Sequence, residues 1–126
     1  MSGGIALRAF DRELSVCRLK DAAGVNLSAD FCFFARADGE TSLVCPSDSV
    51  PENAEKADGG WMAMRVAGTL DFSLTGILAG ISSVLAANGI GIFAVSTYDT
   101  DYILTKKENF GKALDCLEKA GYGIRR

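Results

Sequence analysis

Histidine is absent from the 126-residue sequence. That absence removes the commonest general base near neutral pH and the commonest transition-metal ligand. Ser-His-Asp hydrolysis, Cys-His chemistry and the usual catalytic zinc sites are excluded with it. Proline is scarce, and its two occurrences, Pro46 and Pro51, fall in one polar stretch. Cys17, Cys32, Cys45 and Cys116 form no Cys-x-x-Cys pair and sit in apolar runs, so they read as buried reduced thiols rather than a disulfide framework. The start Met-Ser-Gly-Gly lacks the basic and apolar regions of a secretion signal, which points to a reducing, cytoplasmic setting. Clustered Lys and Arg are missing, and with a net charge of -3 the chain has no electrostatic footprint for DNA or RNA.

No charge occurs between Asp71 and Asp99, and Gly76 and Gly80 make a Gly-xxx-Gly spacing within that run. Asn88-Gly89 in its middle, acidic flanks, and Ser, Thr and Gly throughout argue against a membrane span. A buried helix followed by a buried strand explains the same composition.

What is present reads as strands first. Ile5 to Phe10 and Leu14 to Leu19 flank the polar Asp11-Arg12-Glu13, taken as a turn, while Phe31 to Arg36 and Thr41 to Cys45 bracket Asp38-Gly39, a hairpin dipeptide. Asp21 to Asp30 has room for a short helix at most. From Pro46 to Gly60 the composition turns polar, which reads as a linker with room for one helical turn at Glu52 to Ala57. A boundary there gives an N-terminal module, 1–58, degenerate and strand-rich, and a C-terminal module, 59–126.

In the second module Trp61 to Gly68 alternates as a strand, and Leu74, Ile77, Leu78, Ile81 and Leu85 mark a helix that Asn88-Gly89 closes. Ile90 to Thr97 and Tyr102 to Lys106 are strands, Phe110, Ala113, Leu114 and Leu117 mark a second helix stopped by Gly121, and Tyr122 to Ile124 makes a last strand. The order β-α-β-β-α-β predicts an α+β, ferredoxin-like fold with both helices on one face of an antiparallel sheet.

In such a unit the loop from first strand to first helix, Gly68 to Gly76, is the natural pocket, because a helix start presents unpaired N–H groups. Asp71 is the candidate partner for an ammonium group. From spacing alone, Asp71 and Ser73 serve equally as helix caps, with Gly68 and Gly76 satisfying packing. No Lys follows the second glycine, so the loop is not a phosphate loop. Gly89-Ile90-Gly91 ends a helix and precedes a strand, the reverse of a dinucleotide fingerprint. Ser96-Thr97-Tyr98-Asp99-Thr100-Asp101 gathers six hydroxyl or carboxylate side chains, which turn chemistry also explains. Asp99 and Asp101 offer too few oxygen ligands for a calcium loop, and neither a metal nor a cofactor is expected.

The runs Leu70 to Ala79, Gly89-Ile90-Gly91-Ile92-Phe93 and Ser96 to Leu104 resemble the ACT domain family, in particular its small tandem-ACT proteins. The likeness is strong over Trp61 to Ile124 and fainter over Leu14 to Val50. Thr75 stands where a proline often precedes the glycine, and Gly91 where asparagine is frequent. The resemblance implies two ferredoxin-like regulatory modules side by side and a bound amino acid at Asp71, Phe72, Ser73, Leu74, Thr75, Gly76, Ile77 and Leu78. It implies Ser96, Thr97, Thr100 and Asp101 as neighbours and Ser42, Leu43 and Val44 as a further wall.

The leading expectation is therefore a non-catalytic regulatory protein that binds a small metabolite, an amino acid, as a cytoplasmic homodimer. The alternative is a protein–protein interaction or oligomerisation module without a ligand. An enzyme would have only Cys45, Ser96 and Asp101 to work with, and no base is positioned to activate either nucleophile.

Overall fold

A computed structural model of the chain describes residues 4–67 and 76–126. It divides into two compact units, one of Arg12–Trp61 and one of Met1–Asp11 with Met62–Arg126. Two long strands, β1 (Ala6–Leu19) and β4 (Ala54–Val66), supply residues to both.

In the unit Arg12–Trp61, Asp38 and Gly39 join β2 (Phe33–Ala37) to β3 (Glu40–Pro46) with φ of 51° and 75°, the positive pair that a type I′ hairpin requires. The strand order is β2-β3-β1-β4, with β1 antiparallel to β3 from Leu14 opposite Pro46 to Arg18 opposite Ser42. Cys17, Leu19, Leu43 and Cys45 form its core, covered by Val25, Cys32, Phe34, Val50 and Ala54. A 3₁₀ turn at Ser47–Ser49 is its only helical element, and Asp21 to Asp30 is a series of turns and bends.

Two expectations fail here. Asp11-Arg12-Glu13 is not a turn, because β1 runs straight through it. None of the three takes a positive φ, and a strand tolerates charge where side chains are exposed, as all three are. The segment Pro46 to Gly60 is not a linker with a helical turn at Glu52 to Ala57, since β4 starts at Ala54 and the one helical turn falls earlier, at Ser47–Ser49. Within this unit β4 is the last strand in the order, and Glu55, Lys56, Ala57 and Asp58 are exposed, so its composition is that of a protected edge.

The other unit holds the expected β-α-β-β-α-β order as β4, α1 (Ile77–Ala87), β5 (Phe93–Ser96), β6 (Asp101–Lys106), α2 (Lys107–Lys119) and β7 (Gly123–Arg125). Both helices end with the paired bonds of a Schellman motif. Gly89 and Ile90 donate to Ala86 and Leu85 at 3.0 Å each, and Gly121 and Tyr122 to Glu118 and Leu117 at 3.0 Å each. Ile81 and Leu85 of α1 and Ala113, Leu114 and Leu117 of α2 bury against Leu7, Met64, Val66 and Ile103, so both helices cover one face of the strands.

The sheet departs from a simple antiparallel βαββαβ. Its order is β1-β4-β6-β5, and β7 pairs with β1 in parallel, Ala6 opposite Gly123 through Arg8 opposite Arg125. Thus β1, from the far end of the sequence, stands where the first and last strands of the motif would meet. Among the described residues no helix is long and apolar enough to cross a membrane.

Two outcomes are expected. Leu7→Ala removes a fully buried side chain from the helix-covered core and lowers the unfolding free energy by about 2–5 kcal/mol in urea melts; a loss near zero contradicts the place of β1. In the other core, burial pushes the Cys45 thiol from 9.0 up to about 12, with Cys17, Cys32 and Asp48 adding to the rise. The folded state therefore keeps this proton after the unfolded chain releases it, so the contribution is intact below pH 9.0 and lost as pH climbs toward 12. Urea melts from about pH 8 to 10.5 show a decline that Cys45→Val makes shallower; equal declines contradict it.

Candidate ligand site where the first helix begins

The strand β4 ends at Val66, and Ala67 N–H still donates to the Ala6 carbonyl at 2.8 Å. Gly68, Thr69, Leu70, Asp71, Phe72, Ser73, Leu74 and Thr75 lie outside the described residues. The chain is described again at Gly76, the N-cap of α1, whose φ of 79° and ψ of 2° are left-handed, and a Cβ built there meets nothing within 4 Å. Among the described residues no side chain caps this end. The first helical bond runs from Gly80 N–H to the Gly76 carbonyl at 2.8 Å, so Ile77, Leu78 and Ala79 carry the N–H groups a helix start leaves without a helical acceptor. The side chains of Ile77 and Leu78 pack onto the helix-covered core.

The turn between β5 and β6 is built from its own hydroxyls. Ser96 and Asp101 face each other across the strands, and Ser96 Oγ donates to Asp101 Oδ1 at 2.5 Å. Thr97 N–H and Oγ1 both donate to the Thr100 carbonyl, at 2.8 and 3.1 Å. Thr100 Oγ1, buried, donates to the Val66 carbonyl at 2.9 Å. That bond fastens the turn to the strand end from which 68–75 departs. Thr100 thereby acts as an anchor, whereas Ser96 and Thr97 are exposed and Asp101 half-buried.

The same carbonyl accepts a second bond, from Arg65 Nε at 3.2 Å. The Arg65 guanidinium lies 5.5 Å from the centre of the Tyr102 ring, and Tyr102 stacks on Phe10 with ring centres 6.3 Å apart. Arg65, Tyr102 and Phe10 lie on the strand face opposite the helices. Sequence reasoning assigned Arg65 and Tyr102 no role; the available signal was Arg65 itself, the one charge between Trp61 and Leu70.

Ser42, Leu43 and Val44 belong to β3 in the unit Arg12–Trp61. Leu43 is a core residue there, Ser42 lies opposite Arg18 and Ala35, and Val44 is buried opposite Val16 and Phe33. Cys45 is buried and held protonated, which deprives it of the thiolate a nucleophile needs. All four cysteines are free thiols, Cys17 and Cys45 buried and Cys32 and Cys116 half-buried. Among the described residues no three His, Cys, Asp or Glu side chains are grouped to hold a metal.

A βαββαβ unit with both helices on one face of its strands has the architecture of a ferredoxin-like domain. The family model for the ACT domain matches residues 56–119, and the chain belongs to the ACT domain family. The human cytosolic arginine sensor for mTORC1 subunit 1 is 30% identical over 88 residues, covering 69% of this chain and 26% of that protein. The chain thus spans about a quarter of the length of the curated relatives it matches. A protein of Agobacterium tumefaciens of known structure superposes with a TM-score of 0.82 at 33% identity, over 96% of this chain and 92% of that one. The ligand-free regulatory subunit of aspartate kinase from Thermus thermophilus shares the fold, with a TM-score of 0.63 at 13% identity over 94% and 97% of the two chains.

Thr100→Val deletes the hydroxyl and leaves the buried Val66 carbonyl one bond short. A loss of about 1–3 kcal/mol in urea unfolding is expected; unchanged stability would show that the tie contributes nothing.

Proposed function

We propose that the chain is a regulatory domain that binds a free amino acid where β4 gives way to α1, without catalysing a reaction on it. The observation that carries this reading is the Thr100–Val66 hydrogen bond, which sets the hydroxyl-rich turn beside the end of β4, the strand that precedes α1 in the chain. In the reading, the ligand carboxylate takes the N–H groups of Ile77 and Leu78, Asp71 takes the ammonium, and Phe72, Ser73, Leu74, Thr75 and Gly76 complete the enclosure. Ser96, Thr97 and Asp101 offer polar contacts from the turn, while Thr100 holds the turn in place.

The dipole at an exposed helix start contributes only about 0.3–1 kcal/mol, so direct hydrogen bonds and the Asp71 ion pair supply most of the affinity. Support also comes from relatives named as an arginine sensor and as a regulatory subunit of aspartate kinase. The reading extends to a cytoplasmic homodimer with two ACT-like modules per chain, which sedimentation at twice the chain mass tests.

A thermal-shift screen of the purified chain against the standard amino acids, beginning with L-arginine, checks the ligand. At 100 times its dissociation constant a ligand adds about 2.7 kcal/mol, a rise in Tm of several degrees. Asp71→Ala is expected to abolish the rise while leaving the unliganded Tm unchanged. A flat response across the panel contradicts the proposal.

A further inference from the structure

Three of the four cysteines share one core. In the unit Arg12–Trp61, Cys17 and Cys45 are buried in the cluster that Leu19 and Leu43 complete, and Cys32 packs against it. The Cys45 thiol donates a hydrogen bond to Cys17, and the charge of a Cys32 thiolate opposes ionisation of Cys45. We propose that Cys32 and Cys45 are a redox modification site, at which a small soluble disulfide oxidises the two thiols to a bond joining the start of β2 to the end of β3.

Register decides which pair can join. The ladder of β2 and β3 runs from Ala37 opposite Glu40 to Phe33 opposite Val44, so one step further sets Cys32 opposite Cys45. The faces agree. Phe34 and Leu43, two residues along each strand, lie opposite one another, and both belong to this core. Residues directly opposite in an antiparallel pair have Cα atoms about 4.5–5.5 Å apart, inside the ~4.4–6.8 Å that a disulfide spans. Cys17 is opposite Leu43, which makes it a diagonal neighbour of Cys45, about 7–8 Å away and beyond that span. The Cys17 thiol is therefore the hydrogen-bond acceptor of Cys45 and not its covalent partner. Cys32 also lies just outside β2, where its backbone adjusts to the bond without breaking the ladder.

Exposure decides the order of events. Cys45 is buried and held protonated, whereas Cys32 is half-buried and within reach of a small molecule. The Cys32 thiol gives its proton to solvent, and its sulfur attacks one sulfur of the small disulfide. That S–S bond breaks, one small thiolate leaves and takes up a proton, and Cys32 is left in a mixed disulfide. Cys45 then loses its proton, attacks Cys32 Sγ and expels the second small thiol. Two protein thiols are oxidised and one small disulfide is reduced to two thiols, so atoms and electrons balance. Two features favour the second step. Its partners are held side by side, equivalent to a local concentration far above that of any free thiol, and the mixed disulfide abolishes the Cys32 charge that opposed ionisation of Cys45.

Cys116 is the internal contrast. It is half-buried like Cys32, but it belongs to the unit of Met1–Asp11 and Met62–Arg126, which holds no other cysteine. The inference does not depend on the proposed function.

The test uses the full chain carrying Cys116→Ser, which removes the one thiol outside this core. It is incubated with excess oxidised glutathione at about pH 8 and read by intact mass and by mapping of disulfide-linked peptides. The chain is expected to lose the mass of two hydrogen atoms, with Cys32 joined to Cys45, and dithiothreitol to restore it. Cys17→Val keeps the bridge. Cys45→Val stops at one glutathione on Cys32, and Cys32→Ser consumes oxidant about tenfold more slowly or worse. The bridged chain melts several degrees above the reduced one, because the cross-link restricts the unfolded chain. An unchanged mass under oxidant, a bridge from Cys17 to Cys45, or a bridge that forms only in urea overturns the proposal. Asp71→Ala leaves this oxidation intact, so failure at the ligand site and failure at the thiols are told apart.

Discussion

The parallel pairing of Ala6, Leu7 and Arg8 with Gly123, Ile124 and Arg125 is the constraint on which the helix-bearing unit depends. It ties the beginning of the described chain to its end. A βαββαβ unit leaves the edges of its outer strands unpaired, and here β1 fills the place between β4 and β7. The insertion also delivers Leu7, fully buried, into the cluster that receives Ile81 and Leu85 from α1 and Leu114 and Leu117 from α2. The closing bonds of α1 and α2 set Ile90 and Tyr122 into that same cluster, so the helix ends are fixed by the packing they serve.

From that frame follows the geometry of the junction. With Ala67 bonded to Ala6, the end of β4 is fixed, and the Val66 carbonyl is left to accept from Thr100 and Arg65 on its other side. One buried acceptor therefore coordinates a strand end, a hairpin turn and the cationic side chain stacked on Tyr102. Polar groups in such a network are costly to leave unmade, which gives the turn a single position rather than a range of them. This bond, and not the turn's own chemistry, holds the turn against the end of β4, since Ser96, Thr97 and Asp101 are satisfied locally.

Much of this was legible in the sequence where the signal is local. The stripe Phe110, Ala113, Leu114 and Leu117, the dipeptides Asp38-Gly39 and Asn88-Gly89, and Gly121 each specify geometry within a few residues, and each appears as expected. The failures are non-local. Asp11-Arg12-Glu13 is polar because it is exposed, and polarity at a strand's middle looks like a turn. Glu55, Lys56 and Asp58 are polar for the same reason, which disguised half of β4 as a linker. The parallel pair of β1 and β7 joins residues more than a hundred positions apart, and no periodicity announces it. For the site, the turn residues were visible as a cluster, but the roles of Arg65 and of Thr100 as an anchor exist only through partners on other strands.

The central claim, that an amino acid is held where β4 gives way to α1, is tested most directly by amide hydrogen exchange of the full chain with and without saturating amino acid. The account predicts slowed exchange confined to the start of α1, at Ile77 to Gly80, and to the turn at Thr97 to Thr100. Unchanged exchange at both segments while the ligand is bound would contradict it.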